Sequence, residues 1–192
     1  MRLAHLHDRM DGVEQALVFV AAAMVCSALA LPIWHVHLWA PQYPEGMDLN
    51  IFARTITGSL QNINILNHYI GMKPVSAKSF PEFHWMTPAL GALAGVIFVS
   101  GLTRRREAML VAWAALYGFC AYMLWDLYHW MYDWGHQLAS NAPITVAPFT
   151  PPALGWEHIA NFYVMSFPSW GGLGVVLATG VGAFTVWHAI RS

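Results

Sequence analysis

Apolar and polar positions divide the chain into four long apolar runs and the more polar stretches between them. A helix that crosses a bilayer needs about 20 mostly apolar residues. Four segments meet this: about Gln15 to Trp34, Phe83 to Leu102, Ala108 to Tyr128, and Ser169 to Ile190. The third is the cleanest, with no charged residue from Ala108 to Trp125. Pro88 and Pro168 fall near the starts of the second and fourth, where the first turn of a helix tolerates proline. Between the runs lie two longer stretches, 40–82 and 130–168. The first opens with the turn-rich APQYPEG. MDLNIFARTI then alternates as a strand does, and SLQNINILNHYIGM suits a short helix at the membrane interface. The second contains the extended, proline-rich APITVAPFTPP and ends at GWEHIANFY. Neither is large enough to fold alone, so they are expected to pack on each other and on the helix ends. The expected fold is an all-α integral membrane protein, a single domain over 1–192 with four transmembrane helices and two structured outer loops.

Composition strengthens the membrane reading. Hydrophobic residues make up 57% of the 192, charged residues only 10%, and mean hydropathy is +0.45. A soluble domain carries about 25% charged residues, so an ordinary globular enzyme is excluded. A disordered chain needs the opposite balance. The formal net charge of −1 leaves no basic excess for nucleic acid. The chain also holds 10 Trp, a residue that gathers at membrane–water interfaces.

Charge near the apolar runs sets an orientation. Arg2 and Arg9 precede the first run, Arg104, Arg105 and Arg106 separate the second from the third, and Arg191 follows the fourth. Basic residues mark the cytoplasmic side. The expected protein therefore sits in a bacterial inner membrane with both termini cytoplasmic and both longer stretches in the periplasm.

The polar chemistry gathers on the outer side. His35, His37, His68, His84, His129, His136 and His158 all fall there, with Met47, Met72, Met86, Met131 and Met165. Imidazole binds several transition metals, and thioether sulfur favours Cu(I). Within the third run, Tyr122, Asp126, His129, Asp133 and His136 are spaced four, three, four and three, which forms one stripe of a helix. Asp126 should lie just inside the outer hydrocarbon edge, where an ionisable group usually has a partner or a function. In LNHYIGMKP, His68 and Met72 are four apart, and Glu82 follows in SFPEFHWM. His35 and His37 in WHVHLW share a face if the segment is a strand. His35 with His129 would be the pair for a b-type haem. CxxCH, GxSxG, HExxH and glycine-rich phosphate loops do not occur. Cys26 and Cys120 fall inside apolar runs as small buried hydrophobes.

APQYPEGMDLNIF, LQNINILNHYIGMKP, YDWGHQL and APITVAPFTPPALGWEHIANF together resemble a group of small multi-span bacterial membrane proteins encoded in nitrous oxide reductase gene clusters. The resemblance covers roughly 40–168 and is strongest in LNHYIGM and YDWGH. It implies copper supply to, or electron delivery for, a periplasmic copper enzyme. His68, Met72, Glu82, Asp126, Asp133 and His136 occupy the matching positions. His84, His129 and His158 do not.

The resulting expectation is an accessory protein that binds or delivers copper to a copper enzyme or its assembly factors. His68, Met72 and His136 are its first candidate ligands. Asp126, Asp133 and Glu82 are candidate orienting or ligating carboxylates. The alternatives are an electron-transfer subunit holding haem b or a quinol, and a metal-free structural subunit of a larger membrane complex.

Overall fold

The computed structural model describes residues 9–159 and 161–191. Arg2, assigned above to the inner side, lies outside the described residues.

The first helix, α1 (Gly12–Ser27), starts at a capping box. Asp11 Oδ1 accepts from Glu14 N at 2.7 Å, and Glu14 Oε2 accepts from Asp11 N at 3.1 Å. Helices α3 (Glu82–Thr103) and α4 (Arg106–His136) are joined by a tight turn with Arg104 at φ 54°. The last helix, α5, covers Trp170–Arg191. α1 packs lengthwise on α3 and α5, and α4 packs on α3 and α5. Val18, Val25, Leu90, Ile97, Met109 and Trp113 fill the interior. Met10 N donates to Arg104 O at 2.8 Å, and Arg106 Nη1 donates to Ala189 O at 3.4 Å. The start of α1, the α3–α4 turn and the end of α5 therefore share one end of the bundle.

The outward helix faces are apolar as well. Val20, Phe98, Val111, Leu124, Val176 and Phe184 are all exposed. A helix that is apolar on every side suits a core or a lipid surround.

Two parts of the expected fold are corrected. Among the described residues, three helices, α3, α4 and α5, are long and apolar enough to cross a membrane, rather than four. α1 is apolar but has 16 residues, roughly 24 Å at 1.5 Å per residue, short of a hydrocarbon core of about 30 Å. The run expected to continue as helix to Trp34 instead turns at 28–30 and enters a strand. Pro32 explains the break, because the residue before a proline is pushed out of the helical region.

Nor is the chain all-α. Strands β1 (Trp34–Ala40), β2 (Tyr43–Ile51), β3 (Ile56–Gly58), β4 (Gly155–Ile159) and β5 (Phe162–Pro168) form one antiparallel sheet in the order β3-β2-β1-β5-β4. The two stretches between the apolar runs thus meet at the β1–β5 seam, with His37 opposite Met165. Trp34 Nε1 donates to Ser166 Oγ across that seam at 2.8 Å, and Ser166 Oγ donates to Ala153 O at 3.1 Å. One sheet face carries Val36, Leu38, Met47, Leu49 and Val164 and packs with α2 (Leu60–Ile70) into a second apolar core. α2 ends at Gly71, φ 78°. Gly71 O accepts from Ala139 N at 2.8 Å and Tyr69 O from Ile144 N at 2.9 Å, which ties α2 to the segment after α4.

Candidate metal centre

Side chains alternate between the faces of a strand. On β1, Val36 and Leu38 face the core, so His35, His37 and Trp39 face away from it. On β2, Asp48 pairs in register with His37 and Asn50 with His35. These four polar side chains therefore meet on the outward face of the sheet. Asp48 Oδ1 lies 2.6 Å from His37 Nδ1 and 3.3 Å from His35 Nε2. The other nitrogen of His35, Nδ1, is 2.9 Å from Asn50 Oδ1. One ligand atom from each of His35, His37 and Asp48 lies within 4.8 Å of the other two.

The surroundings hold the His37 ring. It lies 4.1 Å from the Trp39 ring, centroid to centroid. Gly46, at φ 86°, sits so close that a Cβ there would land on the imidazole. The ring is 15% exposed and the Asp48 side chain 53%, so the cluster opens to solvent on its carboxylate side. Met165 stands across from His37 on the same sheet face, and directly opposed residues have Cβ atoms about 5 Å apart.

This donor set fits a transition metal. Two imidazoles and one carboxylate suit copper, zinc, iron or nickel, and a nearby thioether biases the set toward copper. Hard cations such as Mg²⁺ prefer oxygen throughout. A second group with the same spacing, Asp11, Glu14 and His188, lies at the opposite end of the bundle. There both Glu14 oxygens already accept from Arg106, at 3.0 and 3.1 Å. That group pins helices together.

The residues singled out by sequence are not brought together into one site. Met72, Glu82 and Asp126 line one cavity between the sheet and the helices. His68 is exposed on α2 beside Tyr69. His136 is exposed at the end of α4, with Nδ1 2.9 Å from Tyr132 O and its ring stacked on Tyr132. Asp133 is 3.8 Å from His129 Nε2. Neither histidine lines the cavity that holds Met72. His35 and His129 do not face each other, because His35 occupies the sheet face turned away from α4. His129 instead stacks on Trp125 at 5.5 Å.

Asp48 was not singled out by sequence, yet a signal was present. WHVH and DLN each carry polar residues two apart, the spacing that brings side chains to one face when both segments are strands.

No family model matches the chain, and no curated protein shows significant similarity to it.

Proposed function

We propose that this is a membrane-anchored accessory protein that binds copper at His35, His37 and Asp48. It would pass the ion to a periplasmic or membrane copper enzyme or to that enzyme's assembly factors. The observation that carries the reading is the convergence of the two imidazoles on one carboxylate oxygen of Asp48. Met165, across from His37, favours copper over the other metals that imidazole accepts. An open, three-residue site with a soft neighbour suits transfer, because a closed four-ligand cage retains its metal.

The bilayer is the first partner. Three apolar helices anchor the sheet. Arg9, Arg104, Arg105 and Arg191 all lie at the end of the bundle opposite the sheet, which supports cytoplasmic ends for α1 and α5 and a periplasmic sheet. The resemblance through LNHYIGM and YDWGH adds a nitrous oxide reductase-type system as the setting, and membership of a larger membrane complex fits an accessory role.

The test is titration of the detergent-purified protein with Cu(I) against a competing chelator, for wild type and for His35→Ala/His37→Ala. Wild type should bind tightly and the double variant should not. Equal binding by both would remove the sheet face from the site. Zinc held more tightly than copper would overturn the copper assignment.

A further inference from the structure

On the other side of the sheet, the cavity that takes in Met72, Glu82 and Asp126 has a volume of about 180 Å³. Its walls are the inward sheet face, α2, the start of α3 and the outer part of α4. Val36, Leu49, Ile63, Phe83, Trp130 and Val164 make most of it apolar. Against that lining stand Glu82 and Asp126, each only 9% exposed. Glu82 Oε2 and Trp134 Nε1 are buried with no hydrogen-bond partner among the described residues, and Trp134 lines the cavity too.

A buried polar atom left without a partner is costly. These two call for complementary groups, a donor facing Glu82 and an acceptor facing the Trp134 indole. The walls ask for an apolar body between them. A dry apolar cavity of about 150 Å³ takes a benzene molecule, so this one suits a single substituted ring. The two carboxyls disfavour an anionic ligand such as a fatty acid. Position narrows the class further. Asp126 is about 20 residues beyond Arg106, or roughly 30 Å along α4, near the outer edge of the hydrocarbon. Glu82 begins α3 at that same end. At that level a lipid-dissolved ring is within reach.

We propose that the cavity binds the head ring of an isoprenoid quinol. One ring hydroxyl would donate to Glu82 beside Asp126, the other ring oxygen would accept from the Trp134 N–H, and the tail would remain in the bilayer. The site is separate from the His35–His37–Asp48 cluster and does not depend on copper binding there.

The test uses the whole chain in detergent and a short-chain ubiquinol kept reduced, read by quenching of tryptophan fluorescence, since Trp130 and Trp134 line the cavity. Saturable quenching is expected. Val36→Phe should fill the cavity and weaken it at least about tenfold, and Glu82→Gln should weaken it about tenfold by altering one polar contact. His35→Ala/His37→Ala should leave it unchanged. Organic extracts of the purified protein should contain a quinone. Non-saturable quenching, or quenching equal in wild type and in Glu82→Gln, overturns the proposal and requires no folded Val36→Phe variant. Extracts holding only phospholipid or fatty acid also overturn it.

Discussion

Arg106 grips Glu14 at two points, with Nε to Oε2 at 3.1 Å and Nη2 to Oε1 at 3.0 Å. Glu14 is fully buried and Arg106 is 5% exposed. His188 Nδ1 on α5 lies 3.4 Å from the same carboxylate. One ion pair therefore joins the start of α1, the start of α4 and the end of α5. Removing one member of a buried pair costs about 3–5 kcal/mol, because the other charge stays desolvated. Glu14→Ala should lower thermal stability in detergent by that order, and Glu14→Gln by less. A melting temperature unchanged by Glu14→Ala would show that the pair is not structural.

Gly46 shapes the proposed metal site without contributing a ligand. Its φ of 86° disfavours any side chain, and its position leaves no room beside the His37 ring. Gly46→Ala should displace the imidazole and weaken copper at least about tenfold, the equivalent of about 1.4 kcal/mol. Chelator competition measures this directly. Wild-type affinity in Gly46→Ala would show that His37 is not a ligand.

Membrane orientation is open to cysteine labelling. In a background with Cys26 and Cys120 replaced by alanine, Ser140→Cys should react with an impermeant reagent added outside. Arg105→Cys should react only after permeabilisation. The reverse pattern would place the sheet in the cytoplasm, away from any periplasmic copper enzyme.

Gly172 on α5 touches the carbonyl of Ile33, just before β1. A methyl group there forces the helix and the strand entry apart. Overpacking of this kind costs about 1–3 kcal/mol, so Gly172→Ala should lower the unfolding temperature, whereas Gly180→Ala, where a Cβ meets nothing within 4 Å, should not.

Helices α3, α4 and α5 were legible because an apolar run of bilayer length has few other interpretations. The sheet was not. Trp34, Val36 and Leu38 extend the apolar run of α1 without a gap, so helix and strand periods overlap there, and Pro32 was the local sign of the change. In β4 and β5, the aromatic-rich sequence from Trp156 to Phe167 has no Gly or Pro to mark its turn. The polar stripe on α4 was legible in part. Asp126 lies at the margin of that stripe nearest the face bearing Met123, Leu127, Trp130 and Trp134, which looks into the cavity. His129 and His136 lie farther round and meet solvent. A spacing pattern fixes which residues share a face, but the neighbours that cover that face come from distant parts of the chain.

The strand order carries a consequence for biosynthesis. The β1–β2 and β4–β5 hairpins close locally, but the seam between them joins residues 34–39 to residues 163–168. Two bilayer-length helices are translated in between. As the chain emerges, β1 keeps one edge of unsatisfied N–H and C=O groups until β5 arrives, and such an edge is a template for wrong pairings. If α3 and α4 cross a bilayer, both must be threaded through it, and the second hairpin brought to the same side, before the first is safe. A ribosome stalled within α4 would thus leave a sticky half-sheet facing its neighbours.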